Sequence, residues 1–127
     1  MIGLGVSSFS HFDGVNFQNA HSFEEYVRIL STDNLPLLRA VSLTPKQQLI
    51  REMILQLKTG SLDTAYFRDK FAVDVWQEFR PVYERLSEDE MLVRHDDNIT
   101  LTRRGLLEVE HFLVEFFEPE LRTVRYA

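Results

Sequence analysis

Apolar residues recur every three to four positions within the stretch LTPKQQLIREMILQLK, which is the spacing of one buried face of an α-helix. This stripe consists of Leu49, Ile50, Met53, Ile54 and Leu57. Thr44 and Gln47 have the spacing of a capping box, Pro45 suits the first helical position, and Gly60 suits the end of the helix. The pattern therefore predicts a helix over residues 45–58 at the centre of the core.

A shorter amphipathic helix is predicted within residues 21–30, where Ser22 and Glu25 repeat the spacing of a capping box. Its apolar face consists of Phe23, Tyr26, Val27 and Leu30. Three later helices are predicted over residues 62–71, residues 73–90 with Asp74 as cap, and residues 103–117 with Thr102 as cap. Pro81 lies inside the second of these three, so we expect a kink or a late start there.

The last predicted helix carries a wide apolar face. It consists of Leu106, Leu107, Val109, Phe112, Leu113, Phe116 and Phe117. Pro119 follows and ends the periodic pattern.

Two pairs of strands are predicted by β-prone runs that flank polar turns. Residues 6–19 form a hairpin around Asp13 and Gly14, a dipeptide that favours the type I′ turn. Residues 92–94 and 99–101 form a second pair. The stretch 31–43 between the first two helices is interpreted as a connector, because Pro36 disfavours regular structure nearby.

The order of these elements predicts an α+β fold. An N-terminal β-hairpin arm and helix precede a winged-helix-like helical domain with a two-stranded wing, whose expected anchors are Ile99 and Leu101. A two-stranded wing is not stable alone and has to pack on the helices. The predicted domains are residues 1–43, with a strand, hairpin, helix and connector, and residues 44–127, the winged-helix-like part.

Composition narrows the possible functions. The chain has 127 residues, a formal net charge of −6 and no cysteine, so it offers no thiolate for a disulfide, a nucleophile or an iron–sulfur cluster. No apolar run approaches the ~20 residues of a membrane span, and no signal peptide is visible, so a cytoplasmic protein is expected. The predicted recognition helix, residues 75–90, carries more acids than bases, which argues against DNA binding.

No catalytic constellation is visible in the sequence. The four histidines, His11, His21, His95 and His111, form no metal-binding spacing. The adjacent acids Glu24 and Glu25 suit a helix N-terminus, and residues 88–90 suit a solvated turn. The stretch GLGVSS is not a phosphate loop, because no GK[ST] follows it. The chain is therefore not expected to catalyse a reaction by itself, and it is expected to bind no metal.

Several motifs together resemble the C-terminal part of the oxygen-independent coproporphyrinogen III oxidase family of radical S-adenosylmethionine (SAM) enzymes. They are IGLGVSSFS at the start, QN and FEEYV after it, LPLLRAVSLTPKQQLIREMILQLK, and the late LTRRGLLEVE. The resemblance covers nearly the whole chain. It implies a longer parent, in which an N-terminal partial barrel with a CxxxCxxC motif holds a 4Fe–4S cluster and SAM, and this domain helps to close over a porphyrinogen substrate.

The resemblance also implies a SAM-binding role for the glycine-rich stretch. Ile2, Gly3, Gly5 and Ser8 match the later positions of the family pattern GxIGxGxxS, with Ile2 expected to contact the adenine. Glycines permit close approach of a backbone to a cofactor, but they equally serve tight packing, and the sequence leaves both interpretations open. On the family's architecture, residues 2–8 are the last barrel strand. Without its neighbour, this strand is expected to fray or to pair with a second copy of the chain.

Other functions remain open at this stage. The family includes haem-chaperone-like and radical SAM methyltransferase-like members, and a stand-alone winged-helix protein-interaction module is a different alternative. The missing barrel is the expected partner, and nucleic acid and membrane are not expected partners.

Overall fold

The computed structural model of the chain describes residues 1–122. The chain divides into two compact units, Met1–Gln48 and a second unit that begins at Leu49. Each unit contains one three-stranded antiparallel sheet together with helices, so the predicted α+β class is confirmed. The predicted domains, residues 1–43 and 44–127, stay a prediction, and so does the winged-helix description of the second.

The first unit is built on a sheet with the strand order β1-β2-β3. Its elements are β1 (Phe9–Phe12), β2 (Val15–Asn19), α1 (Phe23–Leu30) and β3 (Leu37–Ser42). Asp13 and Gly14 join β1 to β2 with φ angles of 48° and 73°, and the positive φ at both positions is that of the predicted type I′ turn. The predicted hairpin is confirmed around this turn, but its first strand begins at Phe9 rather than at residue 6.

The stretch 31–43 contains a strand, so its interpretation as a connector was wrong. Pro36 lies immediately before β3, and its carbonyl accepts a hydrogen bond from the N–H of Ala20 at 2.7 Å. A proline lacks only its own donor and does not prevent the next residue from starting a strand. All six residues of β3 are exposed, which explains why no alternation of buried and exposed positions revealed the strand.

Helix α1 starts as predicted but leaves its apolar face uncovered. The Ser22 hydroxyl oxygen accepts from the N–H of Glu25 at 3.3 Å, while the hydroxyl itself donates to Glu24. No residue of α1 is buried, and Phe23, Val27 and Leu30 are 66%, 45% and 44% exposed. The periodicity identified the helix correctly, but the apolar stripe does not face a core within the described chain.

The second unit holds the remaining elements. They are most of α2 (Pro45–Lys58), β4 (Ser61–Asp63), α3 (Thr64–Phe71), α4 (Val75–Glu78), α5 (Arg80–Glu88), β5 (Leu92–His95), β6 (Asn98–Leu101), α6 (Arg103–Phe112) and two 3₁₀ turns, Leu113–Phe116 and Pro119–Leu121. Its sheet has the order β4-β6-β5. The predicted two-stranded wing therefore has a third strand, β4, which lies where the sequence suggested a helix start.

The core of the second unit lies around α2. All five residues of its predicted stripe are buried, and Met53 and Leu57 are fully so. Ile99 and Leu101 anchor the β5–β6 pair as predicted, being 0% and 5% exposed. The buried Tyr83 stacks on Trp76 with ring centroids 5.2 Å apart and donates its hydroxyl to the Met53 sulfur at 3.1 Å. Burial raises the pKa of the Tyr83 hydroxyl.

Pro81 delays a helix, as expected. The helical conformation is interrupted at Phe79, between α4 and α5. Pro81 lies in the first turn of α5, where a backbone N–H has no partner within the helix, so the missing N–H of proline costs no helical hydrogen bond. The predicted caps Asp74 and Thr102 are also present, and each accepts a backbone N–H three residues further on.

The last helix differs from its prediction. Helix α6 ends at Phe112 and continues as a 3₁₀ turn, and Leu106 and Leu107 are 46% and 77% exposed rather than buried. Gly105 occupies the buried side of the first turn instead. The hydrophobic periodicity did not predict which side of α6 is buried in its first turn, because the residue buried there is Gly105, which has no side chain.

Candidate functional site

The glycine-rich stretch does not form a strand in this structure. Residues 1–8 lie outside the strands, and the φ angles of Gly5 and Ser7, 99° and 61°, turn the chain between them. Residues 2–8 thus form no strand in the described chain, and their place as the last barrel strand of a longer parent stays a prediction. A left-handed backbone at two positions is incompatible with an extended strand.

The segment is nevertheless held within its own unit. Met1 and His11 exchange backbone hydrogen bonds of 2.9 and 3.0 Å, and the N–H of Ser7 donates to the carbonyl of Ala20 at 2.9 Å. The Ser8 hydroxyl donates to the carbonyl of Leu4 at 2.6 Å. These hydrogen bonds satisfy several of the backbone groups that an open strand edge would leave unpaired, and fraying of the segment stays a prediction. Self-association through this segment stays a prediction.

Positions 3 and 5 favour glycine for different structural reasons. A Cβ atom on Gly3 would lie 2.7 Å from the carbonyl oxygen of Phe9, so that position requires a residue without a side chain. A Cβ atom on Gly5 would meet only the Ser8 hydroxyl, at 3.8 Å, and Gly5 is favoured there by its positive φ. Both glycines are therefore accounted for by the local turn.

Three polar side chains hold the peptide groups of the two glycines. The N–H of Gly3 donates to the Ser10 hydroxyl at 2.9 Å, and the N–H of Gly5 donates to the Tyr26 hydroxyl at 3.2 Å. The Asn19 amide donates to the carbonyl oxygens of Gly5 and Gly3 at 2.9 and 3.4 Å. We call Ser10, Asn19 and Tyr26 the glycine clamp.

Sequence reasoning did not identify the glycine clamp. Ser10 and Asn19 are buried, at 3% and 6% exposure, although both are polar. The QN pair at the end of β2 belongs to the motifs that resemble the family, but no pattern of neighbouring residues indicates its role. Two consecutive amides at the end of a strand, facing a glycine-rich stretch, are the signal that could have pointed to them.

The fit of this segment to SAM differs between side chains and backbone. Ile2 and Leu4 are 65% and 89% exposed, and apolar side chains of this kind suit the flat face of a purine. The polar groups of Gly3 and Gly5 and the Ser8 hydroxyl are already bonded within the chain. Only the exposed apolar side chains are thus available to a cofactor, and SAM binding by Ile2, Gly3, Gly5 and Ser8 stays a prediction.

The first unit shows an inverted pattern of burial. Its buried residues include three polar ones, Ser10, Gln18 and Asn19, while most of its large apolar side chains are exposed. We call the exposed set the apolar surface of the first unit: Met1, Ile2, Leu4, Val6, Phe9, Phe12, Phe23, Val27, Leu30, Leu35, Leu37, Leu38 and Val41. Exposed apolar side chains in such number are typical of an interaction surface.

The second unit carries two clusters of charged side chains. In the first, Glu52 accepts from the Tyr66 hydroxyl and from Lys70, both at 2.7 Å. Partial burial acts to raise the pKa of Glu52, but the hydrogen bonds from Lys70 and Tyr66 outweigh it and the net pKa is lowered. The bond to Glu52 raises the pKa of Lys70. This cluster ties α2 to α3.

The second cluster holds the turn between β5 and β6. The Asp97 carboxylate accepts from Arg68 and from the Thr64 hydroxyl, and the Asp97 carbonyl accepts from the Thr64 N–H at 2.8 Å. The hydrogen bond from Arg68 lowers the pKa of Asp97.

Neither cluster pairs a nucleophile with a base. Among residues 1–122, no three His, Asp or Glu side chains come together as a metal site would need.

The arginines of α5 are paired with acids. Arg80 lies 3.1 Å from Glu84, and Arg85 contacts both Asp89 and Glu115. The guanidinium of Arg94 in β5 lies over the Trp76 ring, 4.7 Å from its centroid. These pairings support the prediction that the chain does not bind DNA, which stays a prediction. No helix of the described residues has the length and apolar character that crossing a membrane requires.

Comparison with known proteins gives a consistent answer. Residues 43–107 match the family model of the HemN C-terminal domain. The oxygen-independent coproporphyrinogen III oxidases of two Helicobacter pylori strains, J99 and 26695, are each 29% identical over 119 residues, covering 91% of this chain and 26% of their own length. The chain thus spans about a quarter of these relatives.

A solved structure has the same fold. Coproporphyrinogen III oxidase (HemN) from Escherichia coli, described as a radical SAM enzyme, superposes with a TM-score of 0.72 at 20% identity. The superposition covers 91% of this chain and 27% of the Escherichia coli chain. The family match extends over more than half of the chain, and it confirms the resemblance found in the sequence motifs. The chain therefore belongs to the HemN C-terminal domain family.

Proposed function

We propose that this chain is the C-terminal domain of an oxygen-independent coproporphyrinogen III oxidase-like radical SAM protein. In this role it helps to close the active site over a porphyrinogen substrate, contributes to SAM binding, and does not catalyse the reaction alone. The observation that carries the proposal is the family match over residues 43–107. The coverage of only 26% of the Helicobacter relatives is consistent with a further domain that supplies the rest of the active site.

The partner of the chain is, on this proposal, the N-terminal radical SAM domain of the same protein. The apolar surface of the first unit supports this, because it leaves side chains such as Leu4 and Leu35 89% and 75% exposed. Burial of apolar area stabilises by roughly 25 cal/mol per Å², so covering these side chains with another domain would be favourable.

The cofactors of the full-length protein are SAM and a 4Fe–4S cluster. The cluster needs thiolate ligands that this chain does not contain, so they belong to the rest of the protein. Within the chain, Ile2, Gly3, Gly5 and Ser8 remain the proposed SAM-binding segment. Ile2 contributes apolar contact, and the glycines and Ser8 contribute the shape of the turn. A cytoplasmic location stays a prediction.

The test is an assay of the full-length protein that carries this chain. After anaerobic iron–sulfur reconstitution and reduction, the protein is expected to cleave SAM and to decarboxylate coproporphyrinogen III, with products detected by mass spectrometry. A matched protein that lacks residues 44–127 is expected to lose porphyrinogen conversion. Cleavage of SAM without conversion of the porphyrinogen would indicate a different family activity, such as a haem chaperone or a methyltransferase. The absence of both reactions would contradict the proposal.

A further inference from the structure

The glycine clamp buries polar side chains, and this burial is unfavourable for folding unless their hydrogen bonds to residues 3–5 compensate for it. Asn19 is 6% exposed and Ser10 is 3% exposed, and burying a polar side chain is unfavourable until its hydrogen bonds are made. The side chains of Ser10, Asn19 and Tyr26 make hydrogen bonds to the peptide groups of Gly3 and Gly5. The polar interior of the first unit is therefore organised around two peptide groups.

The segment that the clamp holds contributes little core of its own. Met1, Ile2 and Leu4 are 77%, 65% and 89% exposed, so holding the segment in place buries few of its apolar side chains. The hydrophobic effect thus does not explain why residues 2–5 are fixed. A fixed segment with exposed side chains is the arrangement expected of a pre-organised contact surface.

The chemistry of Asn19 is specific to its position. Its amide nitrogen has two donors, and it supplies them to the carbonyl oxygens of Gly5 and Gly3. An aspartate has the same shape but cannot donate when ionised, and its charge would face two carbonyl oxygens. Gln18, the neighbouring buried amide, donates to the carbonyl of Ser7 at 3.4 Å, on the other side of the same turn.

We propose that Asn19, with Ser10 and Tyr26, is a positioning residue that fixes the turn at Gly3 and Gly5 so that Ile2 and Leu4 are presented to SAM. This inference rests on the proposed function, because it takes SAM as the molecule that the segment meets. The clamp residues act through the segment and do not contact the cofactor themselves.

The experiment uses the full-length protein with three variants. Asn19→Asp removes both donors without changing size, and Tyr26→Phe removes only the hydroxyl that accepts from Gly5. Asn34→Asp is the matched control, since Asn34 is exposed and its amide donates only to Thr32. Asn19→Asp and Tyr26→Phe are expected to weaken SAM binding at least tenfold, and to raise KM for SAM more than they lower kcat. Asn34→Asp is expected to change neither.

Hydrogen–deuterium exchange separates positioning from a general loss of structure. In the two clamp variants, the peptide covering residues 1–8 is expected to exchange faster, while the peptide covering β2 keeps its protection. Equal loss of protection in both peptides would show a structural role only and would overturn the inference. If Asn19→Asp does not fold, Tyr26→Phe alone decides the question.

The outcomes distinguish this inference from the proposed function. Faster exchange of residues 1–8 with SAM affinity within twofold of the unmodified protein overturns the positioning role and leaves the proposed function intact. An unmodified full-length protein that neither binds nor cleaves SAM overturns both.

Discussion

Single residues are most constrained in this chain where backbone groups crowd together. Helix α6 passes so close to the residue before β5 that a Cβ atom on Gly105 would lie 1.9 Å from the carbonyl oxygen of Met91. The same carbonyl accepts from the N–H of Thr102 at 3.0 Å and from its hydroxyl at 3.2 Å. The Met91 oxygen is a backbone atom, so no side-chain rotation can relieve the clash.

Replacing Gly105 with alanine is therefore expected to destabilise the protein by more than about 2 kcal/mol, because α6 has to move away from Met91. Alanine has the higher helix propensity, so propensity alone predicts the opposite sign. Denaturant melts of Gly105→Ala measure the change. Leu107→Ala, a substitution at a 77% exposed position of the same helix, is the control and is expected to change stability by less than about 0.5 kcal/mol. Equal stability of Gly105→Ala and the unmodified protein would contradict the argument.

Helices and strands show where sequence patterns carry information. The stripe of α2 and its capping box were predictable because both depend on residues a few positions apart. The Thr44 hydroxyl accepts from the Gln47 N–H at 3.2 Å, and the Gln47 side chain accepts from the Thr44 N–H at 3.1 Å. Strand β3 was missed because all its residues are exposed, and β4 because it has only three residues.

Helix α2 provides a direct test of burial at the scale of an element. Ile54 is 8% exposed and Leu55, its neighbour, is 47% exposed. Ile54→Ala is expected to cost about 2–5 kcal/mol through lost burial and a cavity, whereas Leu55→Ala is expected to cost less than half as much. Equilibrium unfolding in denaturant gives both values. Similar costs for the two substitutions would mean that α2 does not present its predicted stripe to the core.

The contact between α3 and the β5–β6 turn predicts a dependence on pH. The hydrogen bond from Arg68 lowers the pKa of Asp97, so the folded state favours the ionised carboxylate. The resulting stabilisation is complete above the unfolded-state pKa of about 3.9, and it is lost as the pH falls through the lower folded-state pKa.

Unfolding of the unmodified protein and of Asp97→Asn is measured between pH 2 and 7. The stability advantage of the unmodified protein is expected to be constant above about pH 5 and to shrink below about pH 4. Asp96→Asn, at a side chain that is 88% exposed, is the control and is expected to have little effect. Parallel curves for the unmodified protein and Asp97→Asn down to pH 2 would rule out this contribution.

At the scale of the whole molecule, the two units differ in what they bury. The second unit has an apolar core that includes Phe67, Tyr83 and Phe116, all at most 1% exposed. The first unit buries polar side chains and exposes its apolar surface. The sequence predicted the helices and the hairpin of both units, but it could not predict this difference, because periodicity identifies an apolar face without showing what covers it.

The apolar surface of the first unit predicts that the 127-residue chain self-associates when it is expressed without further domains. Sedimentation equilibrium over a dilution series is expected to show concentration-dependent oligomers. Replacing Leu38 and Val41 of β3 with lysine is expected to reduce them, because charged edge strands resist pairing with another chain. A monomer at every concentration would show that the apolar surface does not cause self-association.

The apolar surface of the first unit also means that, on the proposed function, the rest of the protein acts as a tethered ligand of this domain. A flexible tether holds such a ligand at an effective concentration on the order of 1 mM. If the two domains as separate proteins bound with a Kd of about 10 μM, they would be almost fully associated when tethered. The free energy of unfolding of this domain would then rise by about 2.7 kcal/mol. A charged residue in place of Leu4 would therefore lower the unfolding free energy of the full-length protein. That of the isolated chain would be nearly unchanged at concentrations where the chain is monomeric.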